Sequence, residues 1–328
     1  MPSRNSTFED SLVDLHGRVA IVTGGNTGVG YGTVQLLVHK GAKVYLAARN
    51  EQRALDAIQE LRKEFETTDS QPGSGGSVEW LQLDLSSPRL AKKSAEEFLR
   101  KETRLDILVN NAAMGALGPY TVDEDGLLDP MATNHIGHFV FTDTLLPLMK
   151  TTSQEEGSDV RIVNLTSPVH AIVEVDSFAG KATLTKEYGS SLNGRLHTYA
   201  YSKLANILHI KELQRRLDSE NIVITCIAVH PGAVRTDGAS GFIASVPYIG
   251  KLFLAIAGPL FFSSWSKGAH NSVFAAASME VRTNRDMYRG AYLTPVGRVA
   301  RPSKSALDER LASELCDTTE QVLKDLGI

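Results

Sequence analysis

The stretch Val19-Ala-Ile-Val-Thr23-Gly-Gly-Asn-Thr-Gly-Val-Gly30 decides the fold. Its first five residues are a short β-branched apolar run, the pattern of a buried strand. The glycines that follow permit a tight turn and let the backbone approach a ligand. Residues Gly28 to Lys40 read as a helix, so the loop joins a strand to a helix N-terminus. Free N–H groups and a partial positive charge at such a terminus suit a pyrophosphate. Gly24, Asn26, Thr27, Gly28, Val29 and Gly30 are therefore the candidate dinucleotide-binding residues. No Gly-Lys-Ser/Thr follows, which excludes a Walker loop. A methyltransferase glycine loop is still a rival on this stretch alone.

Working outward, apolar runs alternate with amphipathic segments. Lys43–Ala47, Val78–Leu83, Leu105–Val109, Val160–Leu165, Ile222–Val229 and Ala291–Thr294 read as further strands. Between them lie helical patterns at Glu51–Thr67, Pro88–Thr103 and Thr198–Leu217. The first of these has Leu55, Ile58, Leu61 and Phe65 as its predicted apolar face. Asp129-Pro130 reads as an N-cap followed by a first-turn proline, opening a helix to about Lys150. Ser70 to Ser77 reads as a surface loop. Alternating β and α units predict an α/β fold: a doubly wound parallel sheet with helices on both faces. No linker interrupts the pattern, so residues 1–328 are expected to form a single domain, with 290–328 as a C-terminal extension.

The end of the second strand selects the nucleotide. An acidic residue there would hold a ribose 2′-hydroxyl and repel a 2′-phosphate. The sequence instead has Ala47-Ala48-Arg49-Asn50. A guanidinium can form charge-assisted, bidentate bonds to a phosphate. Arg49 thus points to NADP(H), the bland alternative being a solvated surface arginine.

Composition narrows the class. The chain has 328 residues, 42% hydrophobic and 22% charged, which excludes a disordered or fibrous chain. A net charge of −4 gives no basic field, and nucleic acid is not expected as a partner. Cys226 and Cys316 are the only cysteines, a usage that fits a reducing compartment better than a disulfide framework. No apolar run reaches the roughly 18 residues of a spanning helix, and Met1–Gly17 lacks an apolar signal core. The expectation is a cytoplasmic protein without a transmembrane anchor.

Tyr199-Ala-Tyr-Ser-Lys203 places Tyr199 and Lys203 at i and i+4 on one helix face. A tyrosine ordinarily titrates near pH 10, and a neighbouring ammonium would favour its phenolate. His135 and His138 lack a third ligand at suitable spacing, so no metal site is expected and both read as packing residues.

Thr23–Gly30, Asn110-Asn-Ala-Ala113, Asn134, Thr166-Ser167, Tyr199–Lys203 and Pro231-Gly232 follow one another in the order of the short-chain dehydrogenase/reductase family. The chain resembles that family from about Gly17 to Thr236, and its retinol-dehydrogenase-like branch in particular. Val44–Arg49, Asn134-His-Ile-Gly-His-Phe139, Ser202–Asn206, His230–Thr236 and Pro302-Ser-Lys304 carry the closer likeness. So does the spacing of 32 positions from Ser167 to Tyr199.

The resemblance implies a Rossmann fold and a set of roles. Tyr199 would be the general acid in ketone reduction or the base in alcohol oxidation. Lys203 would lower its pKa and bind the nicotinamide ribose. Ser167 would hydrogen-bond the substrate oxygen, with Thr166 as the alternative hydroxyl. Asn134 would hold a water linking Lys203 to solvent. Asp84 and Leu85 would flank the adenine, Asn111 and Ala112 would line the cofactor cleft, and Val234 and Thr236 would contact the nicotinamide end. Residues 238–268, rich in Phe, Ile, Leu and Gly, would cover the substrate.

The sequence departs from the family at Ala113, where a glycine is usual, and at Thr166, where a serine is frequent. A membrane-anchoring helix like that of many retinol dehydrogenases is not expected here, so a retinoid substrate does not carry over. The expected activity is NADPH-dependent reduction of a ketone or aldehyde on a lipophilic small molecule. A non-catalytic dinucleotide sensor on the same fold is the alternative. The long helices after the fourth and fifth strands leave room for a homodimer.

Overall fold

The computed structural model describes residues 7–68, 75–116, 118–232 and 265–328. Its centre is one eight-stranded sheet in the order β3-β2-β1-β4-β5-β6-β7-β8. The strands are β1 Val19–Thr23, β2 Lys43–Ala48, β3 Ser77–Gln82, β4 Ile107–Asn110, β5 Val160–Leu165, β6 Ile224–Val229, β7 Tyr292–Thr294 and β8 Arg298–Ala300. All neighbours pair in parallel except β7 and β8. β1, β5 and β6 are buried along their whole length, as strands covered on both faces are. Strand order reverses beside β1, which has β2 on one side and β4 on the other. The crevice at such a switch point, beyond the strands' carboxyl ends, is where open α/β sheets bind ligands.

Among the described residues seven long helices cover the sheet: α1 Gly28–His39, α2 Glu51–Thr68, α3 Pro88–Leu99, α4 Gly137–Ser153, α5 Leu192–Ser219, α6 Trp265–Ala277 and α7 Glu309–Asp325. The core splits into two clusters, one for each face. One joins residues of α3, α4, α5 and α7, including Phe98, Phe141, Leu208 and Leu315. The other joins residues of α1, α2 and α6, including Leu37, Leu61 and Val273. No helix of the described residues is long and apolar enough to cross a membrane.

Three expectations change. Leu55 is 44% exposed, and α2 buries Ala54, Ala57, Ile58 and Leu61 instead. Alanine counts as weakly apolar in a periodicity reading, yet it lets the helix approach the sheet closely. Asp129 is not an N-cap. It is the first residue of a helical turn, and its Oδ2 accepts from Thr121 N at 2.8 Å and Thr121 Oγ1 at 2.8 Å. The helix expected to run on to Lys150 is interrupted by a π-turn at Ala132–Ile136 before α4 begins. Strand β8 and helix α7, absent from the sequence reading, build the C-terminal extension.

Candidate active site

Parallel pairing brings the carboxyl ends of β1, β2, β3, β4 and β5 to one edge of the sheet. Thr23, Arg49, Asp84, Asn111 and Ser167 stand at or just beyond those ends. Helix α5 crosses the end of β5 and is tied there by three bonds. Thr166 Oγ1 donates to Lys203 O at 2.7 Å, Asn206 Nδ2 donates to Leu165 O at 2.9 Å, and Lys203 Nζ donates to the same oxygen at 3.2 Å. Thr166 is thereby committed to the backbone, whereas Ser167 Oγ accepts only a long bond from Val169 N at 3.5 Å.

Tyr199 and Lys203 lie one turn apart on α5, with Lys203 Nζ 5.6 Å from the Tyr199 ring centroid. Tyr199 is half-buried and Lys203 is buried. Burial disfavours both charged forms. It pushes the Tyr199 phenol up to about 12, while a hydrogen bond from the Ser167 side chain pulls the other way. Burial brings the Lys203 ammonium down to about 7. The lowering of the phenol expected from Lys203 is not seen: burial raises it, and only Ser167 opposes that.

Asn134 occupies the middle of the π-turn, a device found often at functional sites. Its amide grips the backbone of the loop after β4. Oδ1 accepts from Met114 N at 2.7 Å, and Nδ2 donates to Met114 O at 3.0 Å. Nδ2 also donates to Ser202 Oγ at 2.9 Å, and that hydroxyl donates to Tyr199 O at 2.7 Å. Both amide hydrogens are used, so any water relay through this side chain has only Oδ1 to run on.

The crevice between β1 and β4 is fixed by Thr23. Its Oγ1 accepts from Asn111 N and Ala112 N, each at 2.9 Å. Its one hydrogen is then left for His138 Nε2, 2.9 Å away. His138 Nδ1 accordingly carries the proton and donates to Asn134 O at 3.2 Å. Burial holds His138 down at about 3, so the ring is neutral. Asn111 Nδ2 donates to Thr23 O at 2.7 Å.

The glycine loop fits a dinucleotide. Gly24 and Gly28 have φ of +65° and +57°, values that favour glycine. A Cβ on Gly30 would meet Gly24 O at 2.2 Å and Asn111 Nδ2 at 2.5 Å. No side chain caps the N-terminus of α1 at Thr27, leaving its first N–H groups for a ligand. Arg49 is exposed beyond β2, and among the described residues no hydrogen bond or ion pair engages its guanidinium. Asp84 Oδ1 accepts from Ser86 N and Oγ, turning the chain after β3, and Leu85 is buried.

Val234, Thr236 and residues 238–264 lie outside the described residues. The last four positions of the expected lid, 265–268, form the first turn of α6, which packs in the core from Ala269 on. Among the described residues no group of three His, Cys, Asp or Glu side chains is placed to hold a metal. His135 goes to Thr319 Oγ1 at 3.1 Å, away from the Thr23 contact of His138. Sequence reasoning missed Ser202 and Tyr120, whose hydroxyl lies between Gly115 O at 3.0 Å and Arg195 O of α5 at 3.3 Å. No spacing signals Tyr120, because it reaches the site from a loop.

The sequence model of the short chain dehydrogenase family matches residues 18–244. A short-chain dehydrogenase/reductase of Armillaria gallica is 42% identical over 96% of this chain and 96% of its own length. The chain belongs to the short-chain dehydrogenase/reductase family. Human retinol dehydrogenase 14 is 32% identical, covering 93% of this chain and 86% of its own. An NADP complex of Pseudomonas aeruginosa RhlG shares the fold with a TM-score of 0.63 and 23% identity, over 88% of this chain and 98% of its own. As a member, this short-chain dehydrogenase/reductase is an oxidoreductase of carbonyl or alcohol groups that binds a nicotinamide dinucleotide.

Proposed function

We propose that this enzyme reduces a ketone or aldehyde on a lipophilic small molecule at the expense of NADPH. The observation that carries the proposal is the grouping, at one sheet edge, of Ser167 just beyond β5 with Tyr199 and the buried Lys203 one turn apart on α5, Nζ 5.6 Å from the ring centroid. Gly24, Asn26, Thr27, Gly28, Val29 and Gly30 would hold the pyrophosphate, Asp84 and Leu85 the adenine, and Asn111 and Ala112 the cleft wall. Lys203, with Val234 and Thr236, would hold the nicotinamide end. A bound nicotinamide dinucleotide supplies the hydride donor or acceptor.

The chain's own groups handle the proton and the substrate oxygen. Ser167 Oγ donates a hydrogen bond to that oxygen as negative charge develops. Tyr199 Oη gives it a proton in reduction, or takes one in oxidation. A high phenol pKa keeps Tyr199 protonated, the form reduction needs. Asn134 holds the loop of Met114 and, through Ser202, the turn of α5 that carries Tyr199.

The exposed Arg49 guanidinium, without a hydrogen-bond or ion-pair partner among the described residues, supports NADP(H) over NAD(H), since such a cation suits a 2′-phosphate. Phe242, Ile243, Tyr248, Phe253, Phe261 and Phe262 in the sequence of 238–264 support an apolar substrate. Two free, buried cysteines suit a reducing, cytoplasmic setting. A homodimer through α4 and α5 would have to include α7, because Arg216 of α5 pairs with Asp317 of α7 at 2.9 Å.

The test is a screen of NADPH oxidation over aromatic, terpenoid and polyketide-like ketones and aldehydes, with sugars and charged keto acids for contrast. Turnover confined to the apolar carbonyl compounds is expected. Turnover of sugars alone, or a preference for NADH, overturns the reading.

A further inference from the structure

Thirty-two positions separate Ser167 from Tyr199, and most of that connection has no regular structure. Up to the start of α5 at Leu192 it contains only the 3-10 turns Pro168–Ile172 and Lys181–Thr183. Backbone polar groups in such a segment need partners from elsewhere. Several of them find partners in the C-terminal extension. Val175 N donates to Ser305 Oγ at 3.4 Å, Phe178 N to Glu314 Oε2 at 2.9 Å, and Gly180 N to Thr318 Oγ1 at 3.2 Å. Arg310 Nη2 donates to Asp176 O at 2.8 Å while Nη1 pairs with Glu314 at 2.6 Å. Glu314 also accepts from Ser177 Oγ at 2.8 Å.

The tie nearest the reacting groups is His170. It is buried, and its two ring nitrogens face two main-chain groups. Ser303 N is a donor only, so His170 Nε2 accepts from it at 3.2 Å. Nδ1 therefore carries the proton and donates to Ser167 O at 2.7 Å. The ring is packed edge-on against Tyr292 of β7, with centroids 5.2 Å apart. A single tautomer thus spans from the C-terminal segment to the carbonyl of the residue that serves the substrate oxygen.

We propose that the C-terminal segment Ser303–Thr318 is a working part of this active site, holding the loop after Ser167, and that His170 is the positioning residue through which it sets Ser167. The inference rests on the reading of Ser167 given above. It also gives the Pro302-Ser-Lys304 phrase a task at the site, since the backbone of Ser303 holds His170.

Kinetics of the full chain with NADPH and an apolar ketone test it. His170→Phe removes both bonds and keeps a ring, and kcat should fall about 10- to 100-fold through misplacement of Ser167. Affinity for NADPH, read by cofactor fluorescence, should stay within about twofold, an allowance well below one kcal/mol. His170→Asn keeps a donor at the Nδ1 position and should recover most of the lost kcat. In a Ser167→Ala background, His170→Phe should cost nothing further, because the group it positions is gone. If His170→Phe does not fold, Glu314→Ala, which frees Ser177 and Phe178, carries the same expectation, including silence in the Ser167→Ala background. Additive losses in the double variant, or a parallel loss of NADPH affinity, overturn the inference. So does full kcat in His170→Phe when Ser167→Ala alone has collapsed. Full activity of Ser167→Ala itself would instead refute the reading of the site, and is distinguishable on that account.

Discussion

Replacing Lys203 by methionine should stabilise the free protein, and by an amount that depends on pH in a defined direction. The lysine is 2% exposed, and burial takes its ammonium from 10.5 to about 7. Below pH 7 the amine is charged in both folded and unfolded chains, and the full cost of burying it is present. Between pH 7 and 10.5 the unfolded chain holds a proton that the folded chain has released, so stability rises with pH. Above 10.5 neither state is charged and the penalty is gone. At about 1.36 kcal/mol per pH unit, the penalty is on the order of 5 kcal/mol at pH 6 and about 2 kcal/mol at pH 9. Methionine removes it while filling much of the same volume, and Leu165 O keeps its bond from Asn206 Nδ2 at 2.9 Å. Urea unfolding of both proteins at pH 6, 7.5 and 9 is the assay. Lys203→Met should be the more stable, with a gap that narrows as pH rises. A gap independent of pH, or a destabilised variant at pH 6, would refute the reasoning.

Three further outcomes are expected. Arg49→Ala should weaken NADPH by roughly 1.5–3 kcal/mol, the worth of a charged hydrogen bond, and leave NADH nearly unchanged in the same titration. Gly30→Ala puts a Cβ 2.2 Å from Gly24 O, so the rise in melting temperature caused by NADPH should vanish; an undiminished rise would show that the loop does not carry the pyrophosphate. Thr166→Val should cost about 1 kcal/mol of stability and spare kcat, whereas Ser167→Ala should do the reverse, because only Thr166 is tied to Lys203 O. Unfolding and initial rates on the same two preparations separate the cases.

The central strands were legible because burial on both faces makes them largely apolar runs, and Val19–Thr23 and Val160–Leu165 match to the residue. The order of the motifs likewise brought Ser167, Tyr199, Lys203, Asn134 and the glycine loop to attention. What the sequence hid depends on long-range hydrogen bonds. The π-turn at Asn134 exists where its amide grips Met114, 20 positions earlier, and no periodicity records that. His170 reads as one more histidine until Ser303, 133 positions later, is seen to donate to it. Helix α7 was legible in principle, since Leu311, Leu315, Val322 and Leu323 are all buried along one face. Its use at the site was not, because Glu314 and Thr318 look like ordinary exposed polar positions of such a helix.

Tyr199 as the acid that protonates the substrate oxygen is the centre of the account, and one comparison reaches it directly. Wild type and Tyr199→Phe are loaded with NADPH, their affinities measured by cofactor fluorescence, and NADPH oxidation followed with the best ketone of the screen. The account predicts matched affinities and a rate about 10²–10⁴ lower in the variant, the usual worth of a positioned acid. A Tyr199→Phe enzyme that turns over at the wild-type rate would contradict it.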